Sequence, residues 1–190
     1  MIADHDRSGW FGASDVSHIM GRWDTKTFSK WWLQKIGLNR DHFTNDAMAA
    51  GTNYEHAILD AIGAAEKDKQ IFCRPYLLRI NLDGNTGSRI HEVKTHRADK
   101  PYKPTKAHVQ QVQVQMFAAK AIGWEDVTAE IVAYGLLPEE YGNFFLDIDM
   151  KRIKRFEVAY DPAFINQYLK RIRYLGDCLL KGVWPDEVPN

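Results

Sequence analysis

Long apolar runs are missing from this chain of 190 residues. None approaches the ~18 consecutive apolar residues of a membrane-spanning helix, so no span is expected. Cysteine is scarce: Cys73 and Cys178 lie far apart and match no zinc spacing. Two such residues cannot supply the four thiolates of an iron–sulfur cluster. The opening MIADHDRSGW has no basic-then-apolar leader, so export is not expected and a reduced, cytoplasmic setting is. Net charge is absent as well, since 25 Lys and Arg balance 25 Asp and Glu. Proteins that coat nucleic acid without specificity are usually basic overall, so that class is disfavoured. A local basic groove remains open, from Arg152, Lys154 and Arg155 or from Lys170, Arg171 and Arg173; a solvated charged face would read the same way. With no internal repeat, low-complexity tract or Gly/Ser linker, residues 1–190 are expected to form one domain around one core.

What is present is periodicity. Ser14 stands where it would cap a short helix carrying Val16, Ile19 and Met20, closed by Gly21. Thr25 would cap a second through Phe28, Trp31, Trp32 and Lys35, closed by Gly37. A third helix is expected over residues 45–67. Residues 71–82 and 88–95 are rich in Ile, Leu and Val, and Asp-Gly-Asn-Thr-Gly between them signals a hairpin. Residues 105–122 contain the alternating VQVQM, yet their length and Ala-rich end favour a helix. Residues 127–135 and 144–150 read as strands, with FEVAY at 156–160 as an extension. A last amphipathic helix follows Pro162 and buries Ile165, Leu169, Ile172 and Leu179. This order predicts an α/β protein, a small mixed sheet flanked by helices.

The stretch NLDGNTGSRIHEVKT, residues 81–95, puts charge where a strand wants apolar groups. With the turn centred between Thr86 and Gly87, Asp83 lies opposite Ile90. Alternation then sets Ile90, Glu92, Lys94 and Asp83 on one face. Asp83 and Glu92 become diagonal neighbours with Cα atoms about 7–8 Å apart. Two carboxylates so placed can close on one hard cation, Mg²⁺ with Mn²⁺ as a substitute, and the Val93 carbonyl can complete the coordination. Lys94, one step along the same face, can position a water or stabilise charge on a phosphate. Metal, carboxylates and lysine together suit phosphodiester hydrolysis. A surface Glu92–Lys94 pair beside an Asp-Gly turn would carry the same letters.

Other positions bear on that choice. Gly51, Glu55, Ile58, Ile62 and Ala65 fall on one helical stripe, so Glu55 interrupts an apolar face and needs a partner. A metal site would supply one; an exposed stripe edge would relieve the need. Gln111 and Gln115 flank the apolar Val112, Met116 and Ala119, where an amide can orient a metal-bound water or simply mark the helix boundary.

In this order the blocks RSGWFGASDVSHIMG, AAGTNYEHAI, NLDG with HEVKT, and QVQVQM resemble the YqaJ-like viral recombinases, the family of phage lambda-type exonucleases. The resemblance spans residue 7 to about residue 120. It implies the restriction-endonuclease-like core of the PD-(D/E)xK superfamily and a metal-dependent enzyme that degrades one strand of duplex DNA, typically from a 5′ end. On this sequence it implies Asp83 and Glu92 as metal ligands, Lys94 serving the attacking water, and Glu55 as the helix-borne acid. Gln111 and Gln113 match the family's Q-x-Q pair. Arg7 and Ser14 match a stretch that engages the 5′-terminal phosphate; an arginine fork beside a helix N-terminus makes a good anion site. Double-stranded DNA ends are the implied substrate, an annealing protein the implied partner, and a ring-shaped trimer the implied assembly. Trp31 and Trp32 could serve that ring interface or the core. His108-Val109 departs from the aromatic pair that often precedes the glutamines, and nothing after about residue 120 carries a family motif.

Three functions therefore compete: an exonuclease, an endonuclease of the same fold, and a silent DNA-end binder. Burying an Asp, a Glu and a Lys without need disfavours the last.

Overall fold

The computed structural model describes residues 8–39, 46–143, 145–186 and 188–189. Its helices are α1 (Val16–Ile19), α2 (Lys26–Lys35), α3 (Asp46–Ala61), α4 (Lys106–Ala121) and α5 (Pro162–Lys181). Its strands are β1 (Glu66–Cys73), β2 (Leu78–Thr86), β3 (Arg89–Arg97), β4 (Thr128–Leu136) and β5 (Ile153–Glu157). The strands lie side by side in chain order as one five-stranded sheet. Only β3 and β4 run parallel, and α4 carries the chain between them. A tight turn cannot join parallel neighbours, so a crossover of this length is required. The mixed sheet flanked by helices is the expected α/β arrangement.

Local chemistry sets several boundaries. Thr25 Oγ1 accepts from the Phe28 N–H at 3.1 Å, Thr105 Oγ1 from His108 at 3.2 Å, and Asp161 Oδ1 from Phe164 at 3.0 Å, so α2, α4 and α5 each begin with a side-chain cap. One sheet face carries Ile80, Leu82, Ile90 and Ile131 against α1, α2, α4 and α5, through Val16, Trp32, Val112, Met116 and Ile172. The other carries Val93, Val132 and Tyr134 against Tyr54, Ile58 and Leu59 of α3. A strand covered on both faces must be apolar almost throughout, which is the burial pattern of β4.

Some sequence expectations change. Trp31 and Trp32 are 5% and 0% exposed and stack on Phe11, so they belong to the core rather than to an oligomer interface. The third helix stops at Ala61, because Gly63 turns the chain at φ 74° and residues 66–73 pair with β2. Their charges are tolerated because β1 is an edge strand with one side open. Residues 145–149 form no strand; Asp149 Oδ1 accepts from Lys151 N–H at 2.9 Å and starts a single 3₁₀ turn before β5. Ser14 caps nothing. It sits exposed inside a 3₁₀ turn, Ala13–Asp15, whose cap position is Gly12. In α5, Tyr168 and Leu175 join Ile165 and Ile172 on the buried stripe, while Leu169 and Leu179 are only half-buried. Among the described residues, no helix is long and apolar enough to cross a membrane.

Candidate active site

The hairpin between β2 and β3 turns on Gly87 and Ser88, with Gly87 at φ 56°. A left-handed residue at the tip of a two-residue turn is where glycine belongs. Thr86 faces Arg89, Asn85 faces Ile90 and Gly84 faces His91, a shift of two from the register expected of the sequence. The ladder ends there, one residue short of Asp83. Instead of a backbone carbonyl, the Asp83 carboxylate accepts the Val93 N–H at 2.8 Å. Gly84 makes the bend possible: a Cβ there would lie 2.6 Å from Leu59 Cδ2 and 3.3 Å from the Glu66 carbonyl oxygen. Helix α3 thus packs directly against the Asp-Gly corner.

Burial holds the Asp83 carboxyl well above its ordinary range, and the nearby charges of Glu92 and Glu55 push it further in the same direction. Lys94 and the Val93 N–H oppose this without cancelling it. Glu92, only 1% exposed, is the most heavily bonded group of the site. Its Oε1 accepts from Gln111 Nε2 at 2.6 Å and from Lys94 Nζ, and its Oε2 accepts from Gln115 Nε2 at 2.5 Å. Gln111 and Gln115 are one turn apart on α4, so both amides reach the same carboxylate. Gln115 is fully buried, and its own carbonyl oxygen finds no donor among the described residues. Burial lowers the Lys94 pKa, but Glu92 and Asp83 outweigh it, so the net direction is upward and the amine stays an ammonium at neutral pH.

Glu55 is half-buried on α3, and burial followed by the charges of Glu92 and Asp68 raises its carboxyl. Helix and sheet therefore bring Glu55, Asp83, Glu92 and Lys94 into one electrostatic neighbourhood. Asp68 and His56 were not legible as site residues, because nothing in the sequence places residue 68, just past the expected end of the third helix at residue 67, back beside His56. Gln113 does not join the site: its Nε2 donates to the Ala159 carbonyl at 2.6 Å and its Oε1 accepts from Asp161 N–H at 2.8 Å. The second glutamine of the site is Gln115, which its i+4 spacing from Gln111 indicates.

On the Lys94 side, Tyr102 hydroxyl and His108 Nδ1 are 2.8 Å apart, and the Tyr102 ring stacks between His96 and His108. Burial pushes Tyr102 up to about 12, with the Lys94 charge opposing, while burial and Lys94 lower His108. His108 thus uses the departure from the aromatic pair to anchor the loop before α4. Arg7 lies outside the described residues. The backbone N–H of Gly12 is taken by Asp15 Oδ2 at 2.7 Å, and Asp15 is itself held by Lys35 and Trp31. No helix N-terminus is left open for a phosphate at this turn. Part of the two basic clusters is engaged within the fold: Arg152 binds Glu140, Arg155 binds Glu130, and Arg171 binds the carbonyls of Ile19 and Gly21.

The fold of this chain has counterparts among solved structures. The alkaline exonuclease LHK-Exo from Laribacter hongkongensis superposes with a TM-score of 0.66 at 20% identity, over 93% of this chain and 90% of that chain. Its complex with dAMP gives 0.67 at 19% identity, over the same shares of the two chains. The fold is that of the alkaline exonucleases. A phage-related exonuclease from Haemophilus somnus 129PT gives 0.64 at 13% identity, over 91% of this chain and 96% of that chain. No family profile and no curated protein matches the chain. The sequence resemblance and the fold point to the same group of proteins.

The residues fit a divalent ion on this structure's own terms. Glu92 is buried beside a second carboxylate that resists ionisation, and among the described residues the carbonyl oxygen of Gln115 has no donor. An oxygen-rich pocket of this kind is short of positive charge and of one hydrogen-bond donor.

Proposed function

We propose that the chain is a metal-dependent DNA exonuclease that degrades one strand of linear duplex DNA from the 5′ end, in phage-type recombination. The observation that carries this reading is Glu92, buried and bonded by Lys94, Gln111 and Gln115 next to Asp83 on an exonuclease fold. Asp83 and Glu92 would hold Mg²⁺, or Mn²⁺ in its place, with the Val93 carbonyl and Glu55 completing the donor set. When bound there, such an ion supplies positive charge to the phosphate and a more acidic water.

The protein groups do the rest. The Val93 N–H fixes Asp83, and three N–H donors fix Glu92, so both carboxylates are oriented before substrate arrives. Lys94, kept protonated by its acidic neighbours, acts as a fixed donor to a water or a phosphate oxygen rather than as a base. Gln111 lies closer to solvent than Gln115 and can pass a hydrogen bond from Glu92 towards the reacting water. Beside them, Lys100, Lys103 and Lys106 are exposed along the loop that carries Tyr102, a run of cations suited to the DNA backbone. LHK-Exo binds dAMP, a nucleoside monophosphate of the type an exonuclease releases. On family resemblance alone, Arg7, outside the described residues, and the exposed Ser14 hydroxyl are the candidates for the 5′-terminal phosphate, without help from a helix N-terminus. The proposal extends, on family resemblance alone, to a trimeric ring and an annealing-protein partner.

The test is degradation of 5′- and 3′-labelled linear duplex in Mg²⁺, with EDTA and covalently closed circles as controls. Metal-dependent loss from the 5′ end, sparing circles, is the expected outcome. Cutting of closed circles would assign the endonuclease reading, and binding of ends without any cutting would assign the silent binder.

A further inference from the structure

We propose that Glu55, His56 and Asp68 form a second divalent-cation site, next to the Asp83–Glu92 pair and sharing the Glu55 carboxylate with it, that takes an ion such as Mn²⁺ in preference to Mg²⁺. This inference rests on the nuclease reading only for its place beside the catalytic acids.

The chain path builds the cluster. From Glu55 to the end of α3 the helix rises roughly 9 Å, and from residue 65 the strand returns by about 10 Å to Asp68. Lys67 Nζ pins the return to Asp60 Oδ1 at 2.5 Å. One ligand atom from each of Glu55, His56 and Asp68 then lies within 4.8 Å of the others. His56 Nε2 and Asp68 Oδ2 are 2.9 Å apart. The flanking pairs Lys67–Gly84 and Lys69–Leu82 set Asp68 across from Asp83, where the regular ladder is interrupted. Asp68 itself holds φ 56°, a conformation uncommon outside glycine. A row of acids thus runs over three strands, Asp68 on β1, Asp83 on β2 and Glu92 on β3, and the charges of Glu92 and Asp68 both act on Glu55.

The donor set decides the ion. Mg²⁺ is served by carboxylates and water, as at Asp83 and Glu92, whereas an imidazole favours a first-row transition ion. Two carboxylates and one imidazole suit a first-row divalent ion better than Mg²⁺, and Mn²⁺, at home with the two carboxylates and water, is the paramagnetic member that reports an imidazole nitrogen. His56 and Asp68 are partly exposed, so an ion can enter and keep water ligands.

The experiment is pulsed electron paramagnetic resonance of the full chain loaded with Mn²⁺, with binding stoichiometry from the free-ion signal. Wild type is expected to bind about two ions and to show nitrogen modulation from an imidazole ligand. Asp83→Asn should lose one ion and keep the nitrogen signal. His56→Ala should lose the nitrogen signal and weaken one ion about 10–100-fold, and Asp68→Asn should weaken the same ion while keeping its nitrogen contact. His56 is exposed, so its variant is not expected to compromise folding. Wild-type protein that binds Mn²⁺ without nitrogen modulation, or modulation that survives His56→Ala, overturns the second site. Full Mn²⁺ stoichiometry retained in Asp83→Asn overturns the catalytic-site assignment instead.

Discussion

Gln115 and Glu92, 23 residues apart in the chain, meet in the interior with an amide nitrogen 2.5 Å from a carboxylate oxygen. The bond fixes one oxygen of the acid, while Gln111 and Lys94 hold the other. Gln115→Leu keeps the volume and removes the donor, so Glu92 loses its orientation on that side. Activity on linear duplex should fall about 10–100-fold. The unfolding midpoint should fall, because Glu92 Oε2 is left buried without this donor at a cost of about 1–3 kcal/mol, offset only in part by removal of the orphan carbonyl. An activity loss that merely tracks lost stability would refute this role.

Asp83 is kept in the fold against its own electrostatics. Burial and the charges of Glu92 and Glu55 both disfavour its ionised form. Asp83→Asn should therefore abolish cleavage and, in EDTA, raise Tm by about 2–4 °C. Added Mg²⁺ should stabilise wild type more than the variant, since ligand binding adds to folding only where the site is intact. Scanning calorimetry with and without the ion checks both signs; a lower Tm in EDTA would show the carboxylate to be structural.

Gly84 leaves room for Leu59, and an alanine there would meet Cδ2 at 2.6 Å within the apolar layer under α3. Gly84→Ala is expected to cost about 1–3 kcal/mol in urea unfolding. Because the displaced layer abuts Asp83, catalysis should drop even where the protein stays folded. Unchanged activity would mean that α3 does not set the geometry of the acids.

Glu130 gives the pH dependence of the scaffold. It is fully buried on β4 and accepts from His91 at 2.7 Å, from Arg155 at 2.8 Å and from Arg89 at 2.9 Å. Burial alone would raise its carboxyl, but these bonds outweigh burial and carry it below the usual 4.5. A depressed carboxylate contributes stability above its unfolded value, and that contribution is lost as pH falls through the acid range. Glu130→Gln should cost about 3–5 kcal/mol at neutral pH and flatten the acid limb of stability against pH. Parallel acid limbs for variant and wild type would exclude Glu130 as the source.

How far the chain could be read depended on range. The cap at Thr25, the crossover helix and β4 are local features, and each was legible because its periodicity or capping residue lies within a few positions. β1 was legible only at its apolar end. One strand is expected over 71–82, whereas a 3₁₀ turn at Arg74–Tyr76 divides it into the end of β1 and the start of β2. The charged residues 66 and 67 read as the end of the third helix. The acids of the hairpin could be named from the Asp-Gly and Glu-Val-Lys letters, but their register could not, since a slip of two residues preserves every side-chain face.

By itself, the amino-acid order determined a mixed α/β protein and a small set of candidate acids, because hydrophobic period and turn chemistry are written locally. Tertiary structure alone decided that Gln115 rather than Gln113 reaches Glu92, that Trp31 and Trp32 go inside, and that Asp68 stands across from Asp83. Those outcomes depend on which face of one element meets another, and packing settles that only when the whole sheet has closed.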